Sequence, residues 1–481
     1  MSVPENMHGG SRLFFFGTVA AVALLALFLF WSCLHYFFVT DDFALIEAGR
    51  APLSTGIPHH FTPGAGEQFR PLAQYGYFWL VNDLFGLSPL RWHVANFVLH
   101  IIVVAIATDV FRQLLAHRLA SAGASIAFGI HSSLFLVFAW VAIAGEIWIT
   151  LFALVSLSLY LRHLRRGELW SLGGAVAACI LALLSKEMAI SVPLILLLAQ
   201  VLFAPGSNRL IGRRIWLRWS AAPFIIVWLG YLLLVRRVQG VPEAGPYAPQ
   251  IEPGAGWTFL TYLWWTVDIG RFRDFPATWF LALVGAGLIG VTVWAVFRRE
   301  RVALFGLGWF AIGIGPVLFL PDHMFHYYLY WPLGGIALVF GVLIQRWMSL
   351  PASDQLRYAG LALVLIALIA GNFRGVQYQH EHDQTMMQAD QGERVLQVLN
   401  EEIPDPVDGT TIHFVEPASH VFHLMGYGAA PRLYNPGVQL NVYFDGHIPA
   451  PEDPSEPVYR FQWDGHTVVN VNDETASQGN H

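Results

Sequence analysis

Eleven apolar runs, each near the 20 residues that an α-helix needs to cross the hydrocarbon core of a bilayer, decide what this chain can fold into. They fall at 13–38, 92–111, 121–143, 147–161, 169–185, 188–204, 219–235, 276–297, 302–320, 328–345 and 358–373. In lipid each backbone N–H and C=O must be satisfied within the protein, so the runs predict a bundle of transmembrane helices. The stretch 121–161 is too long for one helix and is divided at Gly145-Glu146, which leaves a short second member that tilts or re-enters. Charged residues make up 12% of the chain, about half the share usual in soluble proteins, which excludes an ordinary soluble enzyme. The first run follows Arg12 but is longer than a signal-peptide core and lacks a small-x-small cleavage site, so it reads as a retained span. Cys33 and Cys179 sit in apolar stretches without metal-ligand spacing and read as packing residues.

The charges are distributed in a way that orients the bundle. Net charge is −6, with no basic excess for nucleic acid, yet residues 373–481 carry 4 arginines against 16 carboxylates. Short loops collect arginine: Arg112 and Arg118; Arg162, Arg165 and Arg166; Arg209, Arg213, Arg214 and Arg218; Arg298, Arg299 and Arg301; Arg346 and Arg357. By the positive-inside rule these loops are cytoplasmic, the N-terminus is inside, and the longer loops 39–91 and 236–275 are outside. Eleven crossings then leave the acidic tail outside. The expected division is a membrane unit over 1–373 and an extracytoplasmic α/β domain over 374–481. The tail predicts a polar helix at 376–402 and strands at Thr411–Val415, Gln439–Phe444, Val458–Trp463 and His466–Val471, with Pro449–Pro457 as a loop. The last two strands flank Asp464-Gly465, a type I′ hairpin signal. In the first outer loop, Pro71 to Gly86 predicts an interfacial helix with Tyr75, Tyr77, Phe78 and Trp79 at headgroup depth.

Ionisable groups at membrane depth cost about 2.5–3.5 kcal/mol each and are functional candidates for that reason. Here they gather at the outer face: Asp41 and Asp42 after the first run, Glu146, the pair Lys186 and Glu187, then Asp322, His323 and His326. Lys186 is the one lysine among 27 basic residues. Its compact charge on a flexible stem differs from the planar arginine fork and suits a phosphate contact; the alternative is a structural pair with Glu187 or a snorkelling side chain. A carboxylate just outside a span can serve as a general base, or Asp41 and Asp42 simply mark a helix end. Arg70, Arg236 and Arg237 run against the charge bias and suit lipid phosphate, or snorkel to headgroups. The segment Pro321–Pro332, with Tyr328 and Tyr330 in it, has two histidines and five aromatics; it suits a sugar or a headgroup, as an aromatic belt also would. His59-His60 lacks a third ligand at a recognisable spacing, and no metal site is assigned.

In order along about 330 residues, four elements resemble the multispanning glycosyltransferases of the C superfamily, in particular the protein O-mannosyltransferases and the transmembrane O-mannosyltransferases with tetratricopeptide repeats. They are TDDF at 40–43; FRPL at 69–72 followed by His93 to His100; Ser185-Lys186-Glu187; and YYLYWP at 327–332, which looks like the family's R-Y-L-Y-L-P element. The resemblance implies a GT-C-type polytopic α-helical fold and an inverting transfer of a sugar, a mannose-like hexose favoured, from a polyprenyl-phosphate donor. It places Asp41 at the family's catalytic acidic position with Asp42 as its neighbour. Lys186, Arg70, Arg236 and Arg237 are then the donor-phosphate candidates, and Glu146, Glu187, His326, Tyr328 and Tyr330 the pocket candidates. A leaving phosphate needs no general acid at neutral pH, so a divalent cation is compatible with the reaction but no metal or cofactor is required. Expected partners are the lipid-linked donor, the bilayer, and a protein, glycan or lipid acceptor. The expected location is a bacterial inner membrane.

The chain departs from the family where His131 is followed by Ser132, Ser133 and Leu134 rather than by His-Pro-x-His-x-Glu, at His326 where an acidic residue is common, and in having no tetratricopeptide repeats. These departures leave the sugar and the acceptor open. A lipid-linked-sugar flippase or other transporter, and a non-catalytic membrane scaffold, are the alternative functions. Reporter fusions near residue 480 check the topology: an extracytoplasmic signal is expected, and a cytoplasmic one puts Asp41 and Lys186 on opposite faces.

Overall fold

The computed structural model describes residues 8–63, 68–204, 219–240, 247–250, 254–267, 278–451, 454 and 457–472. Arg209, Arg213, Arg214 and Arg218 of the expected inner loop lie outside the described residues. So does part of the Pro449–Pro457 loop.

Each of the eleven apolar runs carries helix among its described residues. The long loop after α1 (His8–Leu29) holds α2 (Asp41–Ala48), α3 (Leu53–His59) and α4 (Tyr77–Phe85), and the bundle resumes with α5 (Pro89–Leu114), α6 (Arg118–Gly129), α7 (Phe135–Ala139), α8 (Ala144–Arg166), α9 (Leu169–Leu183) and α10 (Val192–Phe203). It continues through α11 (Ala222–Val238), α12 (Ala255–Trp265), α13 (Thr278–Arg298), α14 (Arg301–Ile314), α15 (Tyr330–Met348) and α16 (Asp354–His382). Among the described residues six helices, α1, α5, α8, α13, α15 and α16, are long and apolar enough to cross a membrane alone, and α6 with 132–139 makes a bent seventh. The protein is a multi-pass membrane protein. The most apolar windows of α8 and α15 are 78% and 83% buried, whereas those of α1, α13 and α16 are 17%, 11% and 22% buried, so α8 and α15 form the centre and the other three face lipid.

The division of 121–161 differs from expectation. Gly145 and Glu146 lie inside the first turn of α8, which is 23 residues long, and the broken member is the first one, bent by 42°. The break is held open by side chains that satisfy its backbone. Ser132 N donates to Asn372 Oδ1 at 2.7 Å and Ser132 O accepts from Gln379 Nε2 at 2.8 Å, both from α16. His131 caps the next turn by accepting from Ser133 N at 3.2 Å. His93 Nδ1 lies 2.7 Å from Phe138 O, and Ala142 N donates to Asp42 Oδ1 at 2.6 Å. Irregular backbone is tolerated at this depth only where it is supplied in this way.

The aromatic segment of the first outer loop is also not an interfacial belt. A π-helical turn, Pro71–Gly76, leads into α4, and Tyr75, Tyr77 and Phe78 are buried in protein. Tyr77 donates to Asn96 Oδ1 and Tyr75 to Ala51 O, each at 2.5 Å. Leu80 and Leu84 are the exposed apolar residues of α4. Within 236–275, α12 was not anticipated; it places Trp265 against His326, with ring centroids 4.1 Å apart.

Beyond the last span the polar helix comes in two pieces. α16 runs on to His382, and Asp383 starts α17 (Gln384–Glu402) by accepting from Thr385 N at 2.8 Å. A four-stranded sheet follows, β1 (Thr411–Val415), β2 (Asn441–Phe444), β3 (Val458–Trp463) and β4 (Val468–Asn470), in the order β2-β1-β3-β4. β1 is parallel to both β2 and β3, and β3 and β4 form the expected hairpin. Its turn is longer than a type I′ turn: Trp463 pairs with Val468, and Asp464 Oδ1 accepts from His466 N and Thr467 N inside the loop. With positive φ at Gly465 alone of this pair, the Asp464 side chain, not a second left-handed residue, shapes the turn.

The tail and the long loop after α1 share one core. Phe38, Phe43, Ile46, Phe78 and Trp92 pack with Val395, Leu399, Phe414, Leu424, Met425 and Phe444. The helix α18 (Ser419–Leu424) packs on α17, and α19 (Ala429–Tyr434) faces α2, where Arg432 grips Glu47 through two bonds of 2.7 and 2.8 Å. Between them, Gly426 has φ +54, and a Cβ there would lie 2.7 Å from Phe43 Cβ and Thr40 O. Gly437, with φ +92, meets nothing within 4 Å. Gly426→Ala is therefore expected to cost about 1–3 kcal/mol through overpacking added to left-handed strain, and Gly437→Ala about 1 kcal/mol from strain alone. Thermal unfolding in detergent checks the difference; equal losses would mean that the tail is not pressed against α2.

Candidate active site

The first turn of α2 carries Asp41 and Asp42, and the fold gives the two carboxylates different surroundings. Asp42 is fully buried, and its oxygens accept from Val39 N at 3.0 Å and Ala142 N at 2.6 Å. Burial pushes its carboxyl up to about 8 against those N–H bonds. Asp42 ties the end of the first run to the broken segment and has no free edge to offer. Asp41 is half-buried and accepts from Tyr427 Oη at 3.0 Å. Burial raises its pKa above the usual carboxylate range; the Tyr427 bond, Arg70 and His423 pull in the opposite direction. Thr40, just before the pair, has φ +38, a strained conformation for a β-branched residue that is held by the packing on both sides.

Four charges collect nearby. Lys186 stands between α9 and the 3-10 turn Glu187–Ser191, and its Nζ lies 2.7 Å from Glu146 Oε1, with both side chains at most 4% exposed. The ammonium also lies 5.1 Å from the ring centres of Tyr327 and Tyr328, a cation–π arrangement. Arg70 forks onto Glu187, with Nε 2.7 Å from Oε2 and Nη2 on Oε1. Leu72 N donates to Leu184 O at 3.0 Å, which fixes the Arg70 segment against the end of α9. The expected structural alternative, a Lys186–Glu187 pair, is not formed, because each cation takes the other carboxylate.

The remaining candidates divide. Tyr328 faces Lys186, but Tyr330 is buried in the bundle with its hydroxyl 2.6 Å from His100 Nδ1; Tyr327 takes its place at the site. His326 is held beside Trp265. His323 stacks near Tyr247 at 4.3 Å, and Asp322 accepts from Gln250 at 2.5 Å, so the loop around 247–250 closes over this corner. Arg236 and Arg237 are exposed on the last turn of α11 and do not join the four-charge group described here. Among the described residues no three of His, Cys, Asp and Glu converge as a metal-ligating group, His59-His60 included. Sequence reasoning missed Tyr327, Tyr247, His423 and Tyr427. Tyr427 is 386 positions from Asp41, and no local pattern signals so distant a contact.

The geometry can be set beside known proteins. No family profile matches the chain. Over 200 residues, 39% of the chain, it is 29% identical to protein O-mannosyl-transferase Tmtc1 of Drosophila melanogaster, and the match covers 23% of that protein's length. Among solved structures it is similar to ArnT from Cupriavidus metallidurans in the apo state, at a TM-score of 0.51 and 14% identity over 89% of both chains. ArnT bound to undecaprenyl phosphate gives 0.50 and 14% over 90% of this chain and 86% of that one. The Archaeoglobus fulgidus oligosaccharyltransferase tethered with an acceptor peptide gives 0.51 and 12%, over 90% of this chain and 64% of that one. The chain shares the overall fold of ArnT and of the oligosaccharyltransferase, and here that fold is a helical bundle followed by a small C-terminal sheet unit.

The pairing of Lys186 with Glu146 makes stability and chemistry separable. Lys186→Met leaves a buried, uncompensated carboxylate and is expected to cost about 3–5 kcal/mol. Adding Glu146→Leu removes that charge and should recover most of the loss. Thermal melts of the single and double variants test this, and a Lys186→Met protein as stable as wild type would show that Glu146 does not depend on the lysine.

Proposed function

We propose that the protein is an inverting glycosyltransferase that moves a hexose, mannose favoured, from a polyprenyl-phosphate donor to an acceptor hydroxyl at the extracytoplasmic face of a bacterial inner membrane. The observation that carries the reading is Asp41: a half-buried carboxylate with one oxygen bound by Tyr427, influenced by Arg70, in a bundle that holds a second cation, Lys186, at a helix end. The names of the similar proteins support the donor and acceptor classes. One is a protein O-mannosyl-transferase, one was solved with undecaprenyl phosphate, and one with an acceptor peptide. A protein hydroxyl is accordingly the favoured acceptor, ahead of a glycan or lipid one.

In this reading the acceptor oxygen attacks the anomeric carbon from the face opposite the phosphate. Asp41 takes the hydroxyl proton as the new C–O bond forms, the bond to the phosphate oxygen breaks, and the polyprenyl phosphate leaves with the electron pair. Charge growing on that phosphate is stabilised by donors already in place. Arg70 has five N–H donors and spends two on Glu187, so its others are available to a phosphate. Lys186 adds an ammonium fixed between Tyr327 and Tyr328. The transporter alternative would call for charges near the midplane; along α8 the charges nearest the middle are Glu146 and Arg162, about 24 Å apart at the helical rise.

Purified protein incubated with a panel of radiolabelled polyprenyl-phosphate sugars tests the activity, read as sugar transfer or release. Asp41→Asn should slow the chemical step about 10²–10⁴-fold with little change in donor affinity. Wild-type turnover should fall as pH drops through the raised Asp41 pKa, because only the ionised carboxylate accepts a proton. Asp42→Asn should act on stability instead: an amide has one acceptor oxygen, so one of the Val39 and Ala142 N–H groups loses its partner, at about 1–3 kcal/mol. Unchanged sugar release in both variants would reduce the acidic pair to a helix-end marker.

A further inference from the structure

The loop 426–428 comes from the C-terminal unit, yet it reaches the first turn of α2. Its three residues all have positive φ, +54 at Gly426, +60 at Tyr427 and +91 at Gly428. A left-handed tyrosine is unusual for a bulky side chain, and here the conformation turns the ring outward while Gly426 lies flush on Thr40 and Phe43. Tyr427 remains 41% exposed, with its hydroxyl 3.0 Å from Asp41 Oδ1. Its ring makes edge contacts with Phe422 at 5.2 Å and His423 at 5.8 Å. The same strip continues to His447, stacked on Phe422 at 4.3 Å. This unit is gripped on α2 by Arg432–Glu47 and by Arg50 Nη2, which donates to Leu433 O at 3.3 Å.

We propose that Tyr427 is a positioning residue for the transfer: it holds the Asp41 carboxylate in one orientation and forms, with Phe422 and His423, the wall past which the acceptor hydroxyl approaches. The inference rests on the reading of Asp41 as general base. A hydroxyl bound to one carboxylate oxygen leaves the other to take the proton, and it stabilises the ionised form that the reaction needs. The groups that face Asp41 are Asp42 on its own helix, Arg70 from the outer loop, and Tyr427 and His423 from the tail; Tyr247 acts on Tyr427 in turn. Burial and the Asp41 charge both push the Tyr427 phenol above its usual range, so it is a donor throughout the working pH range.

Tyr427→Phe in the full-length protein keeps the ring and removes the bond. With polyprenyl-phosphate mannose as donor and sugar release to water as the readout, the acidic limb of the pH–rate profile should move up by about 0.5–1 unit. Below that limb turnover should fall about three- to tenfold, while binding of undecaprenyl phosphate is unchanged. Arg432→Gln separates this from a loosened tail: it should lower the melting temperature and leave the acidic limb where it is. Three results overturn the inference. One is a Tyr427→Phe profile that superimposes on wild type. Another is a limb that moves equally in Arg432→Gln. The third is wild-type sugar release that does not depend on Asp41, which removes the general-base reading itself and is recognised by Asp41→Asn matching wild type.

Discussion

A broken helix in the middle of a membrane bundle is the constraint around which this protein is organised. Between His131 and Ala142 the backbone is broken into short helical turns, and polar groups left over at the breaks are met by Asn372 and Gln379 of α16, His93 of α5, and Asp42 of α2. The partners come from three separate helices, so the break fastens the loop after α1 and the last long helix to the same place. The position of Asp41 follows. It precedes a carboxylate that is fixed at both oxygens, and it begins a helix whose entry residue, Thr40, is held in a strained conformation.

The charged group beside it obeys a second rule, that buried charges come paired. Lys186 with Glu146 and Arg70 with Glu187 form a neutral set in which every cation has a carboxylate. Pairing keeps the cations at the site when no anion is bound and fixes their geometry. It also means that the sole lysine contributes to the fold as well as to the chemistry assigned to it, so losing it has two consequences at once.

Much of the architecture is legible in the sequence because lipid imposes one period and one length. Helices over the apolar runs were visible, and so were the four strands of the tail, with the bounds of β1 and β3 matched and those of β2 and β4 expected one or two residues too long at an end. What was not legible depended on partners far away in the chain. Gly145-Glu146 looked like the break, since glycine beside a charge is the local signal of one; the actual break at His131 is stabilised by Asn372 and Gln379, some 240 residues on. Tyr75, Tyr77 and Phe78 looked like a headgroup belt, because an aromatic cluster reads alike whether it meets lipid or a protein wall. At the candidate site, residue type and position relative to the runs pointed to Asp41, Arg70, Glu146, Lys186 and Glu187, which the fold brings near one another. That Asp42 is tied up by Val39 N and Ala142 N while Asp41 is not needed the fold, as did the placing of Tyr327 rather than Tyr330 beside Lys186.

The long reach between Asp41 and Tyr427 gives biosynthesis a part in how the site comes together. A chain made at about 5–20 residues per second takes roughly 20–80 s to add the 386 positions that separate them. Throughout that interval the acidic pair stands at its helix end while Gly426, Tyr427 and Arg432 have yet to be made. The Tyr427–Asp41 bond and the core shared by the segment after α1 and the tail therefore form only once the tail has been made.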